Sequence, residues 1–131
     1  MDMRIELIMV PVTDVDRARD FYASLGWNVD HDQEVDESTR FVQITPPGSA
    51  CSIAFGRGIA DTEPGSLRGI QLVIRDADAA LAMLREKGVD ADGVDEQAWG
   101  RFVTFRDPDG NEYVLQELPE YSPSYANRPA Q

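Results

Sequence analysis

A chain of 131 residues is long enough for one domain with a sizeable core and short tails, which excludes two unrelated full domains. With 42% hydrophobic and 27% charged residues it has the composition of a globular protein; no apolar run approaches bilayer length, and the N-terminus lacks a signal-peptide cleavage site, so a cytoplasmic location is expected. Twelve Lys and Arg stand against 24 Asp and Glu, a net charge of −12 that repels phosphate backbones and anionic membranes, leaving neither nucleic acid nor membrane as an expected partner.

The first predicted element is a strand over Arg4–Val12, ending near Pro11. A helix follows, with Val15, Ala18, Tyr22 and Leu25 at helical spacing, Thr13 or Asp14 as the cap, and Gly26 in the left-handed position after the end. Three strand-like runs come next, at Trp27–Val35, Thr39–Thr45 and Cys51–Gly56, with Pro46–Ala50 turning between the last two. Arg57–Arg68 is rich in turn residues and reads as a linker.

The order then repeats. Gly69–Arg75 reads as a strand, and a helix carries Ala77, Ala80, Leu81 and Leu84 on one face before Gly88. Strands are expected at Val89–Val94, Arg101–Arg106 and Glu112–Leu118, with Asp107–Asn111 closing the last hairpin. Asp14, Asp16, Ala18 and Gly26 reappear as Asp76, Asp78, Ala80 and Gly88, a constant offset of 62, and Arg40-Phe41-Val42 reappears as Arg101-Phe102-Val103. We read a duplicated βαβββ unit, repeats 4–56 and 69–118 joined by linker 57–68, in a single domain over 1–118. Neither repeat buries its own apolar face alone, so the expected fold is α+β, two modules forming a curved mixed sheet around a cleft. Residues 119–131 form a proline-containing tail, either disordered or held to the surface by Tyr121 and Tyr125.

The pattern V-T-D-V-x-R-A-x-x-F-Y…L-G-W after the first strand, with F-x-D-P-D-G-N-x-x-x-L-Q-E at the end, resembles the vicinal oxygen chelate superfamily over roughly residues 4–118. That superfamily includes glyoxalase I, extradiol dioxygenases, fosfomycin-resistance enzymes and bleomycin-binding resistance proteins. The resemblance implies the doubled fold, frequent homodimers and, in the enzymes, a divalent metal. Its ligands come from the first and last strands of each unit. The matching positions here are Leu7, Gly69, Val114, and Ile53 or Ala54, none able to bind a metal. The expectation is a protein with no metal and no other cofactor, similar to the bleomycin-binding type. It would sequester a cationic or aromatic small molecule, with the acidic surface favouring a cation.

The expected ligand contacts are Leu7, Met9, Gln71, Trp99, Arg101, Val114 and Gln116. Gln71 and Gln116 lie two residues from Gly69 and Val114, so alternation places them on the face of the replaced ligands and ranks them above Gln43. Trp99 is read as an aromatic plate and Arg101 as a hydrogen-bond donor beside it, although Trp99 could equally cover the barrel end. His31 is read as a solvated strand-edge residue, Asp107–Gly110 as a structural turn, and Cys51 as core or pocket lining without a disulfide partner. Two other functions compete. One is an enzyme of the same superfamily, either with a shifted metal site or with metal-free acid–base chemistry by Glu6, Glu112 or Glu117, and the other is a regulatory protein-interaction module.

Overall fold

The computed structural model describes residues 1–120. The expectations for Tyr121 and Tyr125, and for most of the 119–131 tail, lie outside the described residues. The first repeat runs β1 (Leu7–Met9), α1 (Val15–Ser24), β2 (Asn28–Asp36), β3 (Thr39–Thr45) and β4 (Ser52–Arg57). The second runs β5 (Ile70–Ile74), α2 (Ala77–Glu86), β6 (Asp90–Ala91), β7 (Asp95–Gln97), β8 (Gly100–Arg106) and β9 (Glu112–Glu117). The α+β class and the duplicated unit both hold. The strands form two mixed sheets, one per repeat, in matching orders β1-β4-β3-β2 and β5-β9-β8-β6, with β7 added to β8. In each, the first strand lies parallel to the last.

The duplication extends to local chemistry. Asp14 and Asp76 both cap their helices, each carboxylate accepting the backbone N–H three residues on, at 3.0 and 3.1 Å. Gly26 and Gly88 follow the helices at φ +88° and +73°, where a side chain would be strained. Ala18 and Tyr22 of α1 and Ala77, Ala80 and Leu84 of α2 are the buried helical positions.

Two compact units result: Met1–Leu67 with Pro108–Asn111, and Arg68–Asp107 with the described residues from Glu112 on. In the first, α1 covers the sheet face of Val42, Ile44, Ile53 and Phe55, and Tyr22 packs its ring against Phe21, Trp27 and Phe55. In the second, the face of Val103, Phe105, Tyr113 and Leu115 is buried with α2, and Phe105 stacks on Tyr113 at 5.1 Å. These residues are the core.

Three boundaries differ from expectation. β1 is short because its partner β4 begins only at Ser52, so Arg4 and Ile5 have no strand to pair with, and Pro11 has no N–H to extend the ladder. Val89–Val94 is interrupted at Asp92–Gly93, leaving the two-residue β6. β7, all polar, forms because the Ala98–Trp99 turn folds Asp95–Gln97 back along β8.

The Asp107–Asn111 loop does more than close the β8–β9 hairpin. Asp109 accepts the Thr13 hydroxyl at 2.6 Å and the Thr13 N–H at 3.2 Å, and pairs with Arg17 at 3.3 Å. Asn111, fully buried, donates to the Pro11 carbonyl at 2.8 Å and accepts from the Leu67 N–H at 3.1 Å. Gly65, at φ +80°, packs its backbone so tightly on Asp109 that a Cβ would stand 2.2 Å from the Asp109 carbonyl oxygen. The loop thus fastens the entry to α1 and the end of the linker within the first unit. No described helix is long and apolar enough to cross a membrane.

Candidate functional site

In each unit the sheet face turned away from the helix carries most of the residues singled out by sequence, Arg101 and the turn residue Trp99 excepted. Strand pairing fixes its rows, since residues opposite one another share a face. In the first unit one row is Leu7–Ser52–Thr45 and the next is Met9–Ala54–Gln43–His31. In the second, Gln71 pairs with Val114, which pairs with Thr104, and Val73 pairs with Gln116, which pairs with Phe102. Ala54 and Val114 therefore occupy equivalent places, opposite Met9 and Gln71. Of Ile53 and Ala54, it is Ala54 that matches Val114 in the strand pairing.

The positions that the resemblance assigns to metal ligands, Leu7, Ala54, Gly69 and Val114, are aliphatic residues and a glycine with no side-chain donor atom to offer. Among the described residues, no three His, Cys, Asp or Glu side chains are grouped so as to hold a metal ion. The residues present do not fit the divalent metal of the related enzymes. His31 is exposed on β2, and its neighbour Asp32 turns to the other face, where it binds Arg40 and Arg19.

What these faces do carry is ordered amides and hydroxyls. In the second unit Gln116 donates to the Trp99 carbonyl at 3.0 Å, and its own carbonyl oxygen accepts from the Gln71 amide at 2.6 Å. Gly100 permits this closeness: a Cβ there would lie 2.7 Å from the Glu117 carbonyl oxygen and 3.1 Å from the Gln116 amide nitrogen. Trp99, 61% exposed, stands in the β7–β8 turn. Phe102, Thr104 and Val114 lie between this amide pair and an ionic cluster in which Arg106 meets Asp92 at 3.0 Å and Glu112 at 3.3 Å. In the first unit Gln43 donates to the Ser52 hydroxyl at 3.3 Å, Ser52 and Thr45 share a 2.6 Å hydrogen bond, and Thr45 donates to Asp30. Asn28 donates to the other Asp30 oxygen at 2.7 Å. The Thr45 hydroxyl, foremost, holds the Asp30 carboxyl below its ordinary pKa.

The placements revise the sequence reading at two residues. Arg101 does not stand with Trp99 as a donor for a ligand. It pairs across the hairpin with Glu117 on the α2 side and spends its guanidinium on Asp78 at 2.9 Å, Glu96 at 2.9 Å and Glu117 at 3.5 Å. Gln43, ranked lower, shares the face of Leu7 and Met9. Leu7, Met9, Val114 and Gln116 are all half-buried on the helix-free faces, and Gln71 is exposed there. Of the three carboxylates considered for catalysis, Glu117 accepts the Ala77 N–H at the start of α2 at 2.9 Å, Glu112 is paired to Arg106, and Glu6 is exposed ahead of β1.

Residues 4–115 match the model of the Glyoxalase/Bleomycin resistance protein/Dioxygenase superfamily, and the chain belongs to that family. Among solved structures it is similar to TnmS3, an antibiotic binding protein from Streptomyces sp. CB03234, with 37% identity, a TM-score of 0.82, and coverage of 90% of this chain and 98% of that one. A glyoxalase/bleomycin resistance protein from the same organism shares 38% identity at a TM-score of 0.76, covering 86% and 99% of the two chains. A superfamily member from Sphaerobacter thermophilus DSM 20745 shares 33% at 0.78, covering 88% and 97%.

Proposed function

We propose that the protein binds a cationic or aromatic small molecule, without a metal and without chemical turnover, and acts by sequestering it. The observation that carries this reading is the set Leu7, Ala54, Gly69 and Val114. Where the superfamily's enzymes need donors, these residues leave half-apolar faces edged by Gln43, Gln71, Gln116 and Trp99. Small-molecule sites are largely apolar, with a few placed polar groups that orient the ligand. The likeness to an antibiotic binding protein supports the same reading and suggests a natural-product ligand. Following the family's habit, we take the working form to be a cytoplasmic homodimer; sedimentation showing only monomer at micromolar concentration would remove the dimer from the proposal.

The test begins with elemental mass spectrometry of tag-free protein and its melting temperature with nickel, zinc, manganese and iron(II). The expected result is no stoichiometric metal and no shift. Aromatic amines are then titrated against the parent and Trp99→Phe, which separates the Trp99 signal from that of Trp27. Bound compound recovered unchanged by mass spectrometry supports sequestration. One equivalent of metal with strong stabilisation, or conversion of a bound compound, overturns it.

A further inference from the structure

The two helix-free faces share a property that only the direction of their hydrogen bonds reveals. A primary amide offers donors at nitrogen and an acceptor at oxygen, whereas a hydroxyl has a single hydrogen to give. In the second unit the chain of bonds starts at the Trp99 backbone carbonyl, which only accepts. Gln116 must therefore turn its NH₂ toward Trp99, and its oxygen, now facing Gln71, must receive the Gln71 NH₂. In the first unit the chain starts at the Asp30 carboxylate, another pure acceptor. Thr45 gives its one hydrogen to Asp30, so the shared bond between Thr45 and Ser52 is donated by Ser52. The Ser52 oxygen then accepts the Gln43 NH₂. Both relays end in a glutamine that gives one N–H to the relay, which fixes which end of the amide is nitrogen and which is the carbonyl oxygen.

We propose that Gln43 and Gln71, each on the helix-free face of its own unit, determine ligand specificity by presenting a fixed carbonyl oxygen, so that a ligand held at either face is one carrying N–H or O–H donors. The inference rests on the small-molecule reading above and names the chemistry that reading leaves open. A rotatable amide suits donors and acceptors alike; one locked at its NH₂ discriminates, since a ligand acceptor placed there meets an oxygen and loses its hydration.

The experiment uses matched neutral pairs, 2-naphthol with 2-methoxynaphthalene and indole with N-methylindole, titrated by calorimetry against the parent, Gln71→Leu, Gln43→Leu and Asp30→Asn. In the parent, the donor member of each pair binds tighter by roughly 3- to 10-fold, the range of one or two net hydrogen bonds. Either Gln→Leu variant narrows the gap without weakening the methylated partner. Asp30→Asn is isosteric and reverses the first relay. The Asn28 amide holds the one remaining side-chain oxygen at position 30 in place, so the new NH₂ faces Thr45. Thr45 then donates to Ser52, Ser52 to Gln43, and the Gln43 NH₂ points outward. Indole weakens and 2-methoxynaphthalene gains. Amide-proton NMR spectra confirm that each variant is folded. If the methylated compounds bind the parent as tightly as the donors, small-molecule binding stands and the relay inference falls. A preference that survives in all three variants also overturns the inference. Absence of binding by all four compounds removes both.

Discussion

Among single residues, Asn111 carries the greatest structural consequence for its size. Its two amide atoms serve the Pro11 carbonyl and the Leu67 N–H from a fully buried position. Asn111→Ala strands both groups, and a buried unsatisfied group costs on the order of 1–3 kcal/mol. We expect a loss of about 3 kcal/mol by urea denaturation with the m-value unchanged. Asn111→Asp, which can still accept from Leu67 but cannot donate to Pro11, also destabilises. A loss below about 1 kcal/mol for the alanine variant would mean that water replaces the side chain. The sequence marks Asn111 only as part of the terminal motif and does not reveal its structural role, because its partners lie 44 and 100 positions away. The Arg101 placement was more nearly legible. The loop from Asp107 to Asn111 makes Arg106 face Glu112, and counting back pairs Gln116 with Phe102, which puts Arg101 on the opposite face.

At the scale of elements, the two repeats keep one ion pair in two environments. Arg40 of β3 meets Asp16 of α1 at 2.8 Å, as Arg101 of β8 meets Asp78 of α2 at 2.9 Å. Arg40, only 8% exposed, adds two 3.0 Å bonds to Asp32, so its removal leaves that carboxylate with Arg19 alone. Arg40→Met is expected to cost about 2 kcal/mol, discounted for the exposed Asp16. Arg101→Met, whose partners are mostly solvated, should cost clearly less in the same thermal melts, and equal losses would contradict the burial argument. The Arg40 guanidinium also holds the Asp32 carboxyl below the usual carboxylate range. That contribution is complete above the unfolded-chain value of roughly 3.9 and disappears as the pH falls through the lower folded value. Stability should therefore drop below about pH 4 in the parent, and less steeply in Arg40→Met. The helices were legible because capping and periodicity are local. β7 was not, since Asp95–Gln97 has no alternation and owes its strand to β8. The face of Gln43 likewise emerges only from the Met9–Ala54–Gln43 pairing across three strands.

For the molecule as a whole, a net charge of −12 creates a field that draws in cations, and dissolved salt screens it over about 10 Å at 0.1 M. A cationic aromatic amine should lose affinity by roughly 3- to 10-fold between about 20 and 300 mM NaCl, while a neutral compound of the same shape is unaffected. Equal salt dependence for the two would detach the acidic surface from recognition. The repeat architecture was legible because duplication leaves a fixed offset in the sequence, but the allegiance of Pro108–Asn111 to the first unit was not. That allegiance bears on how the protein is made. On a ribosome, the first helix and its sheet emerge early, yet Thr13, Pro11 and Leu67 wait for Asp109 and Asn111, which are translated near the end of the second repeat. Until those residues are made, the first repeat lacks these hydrogen bonds. The first half of the doubled fold thus takes part of its fastening from the last hairpin of the second.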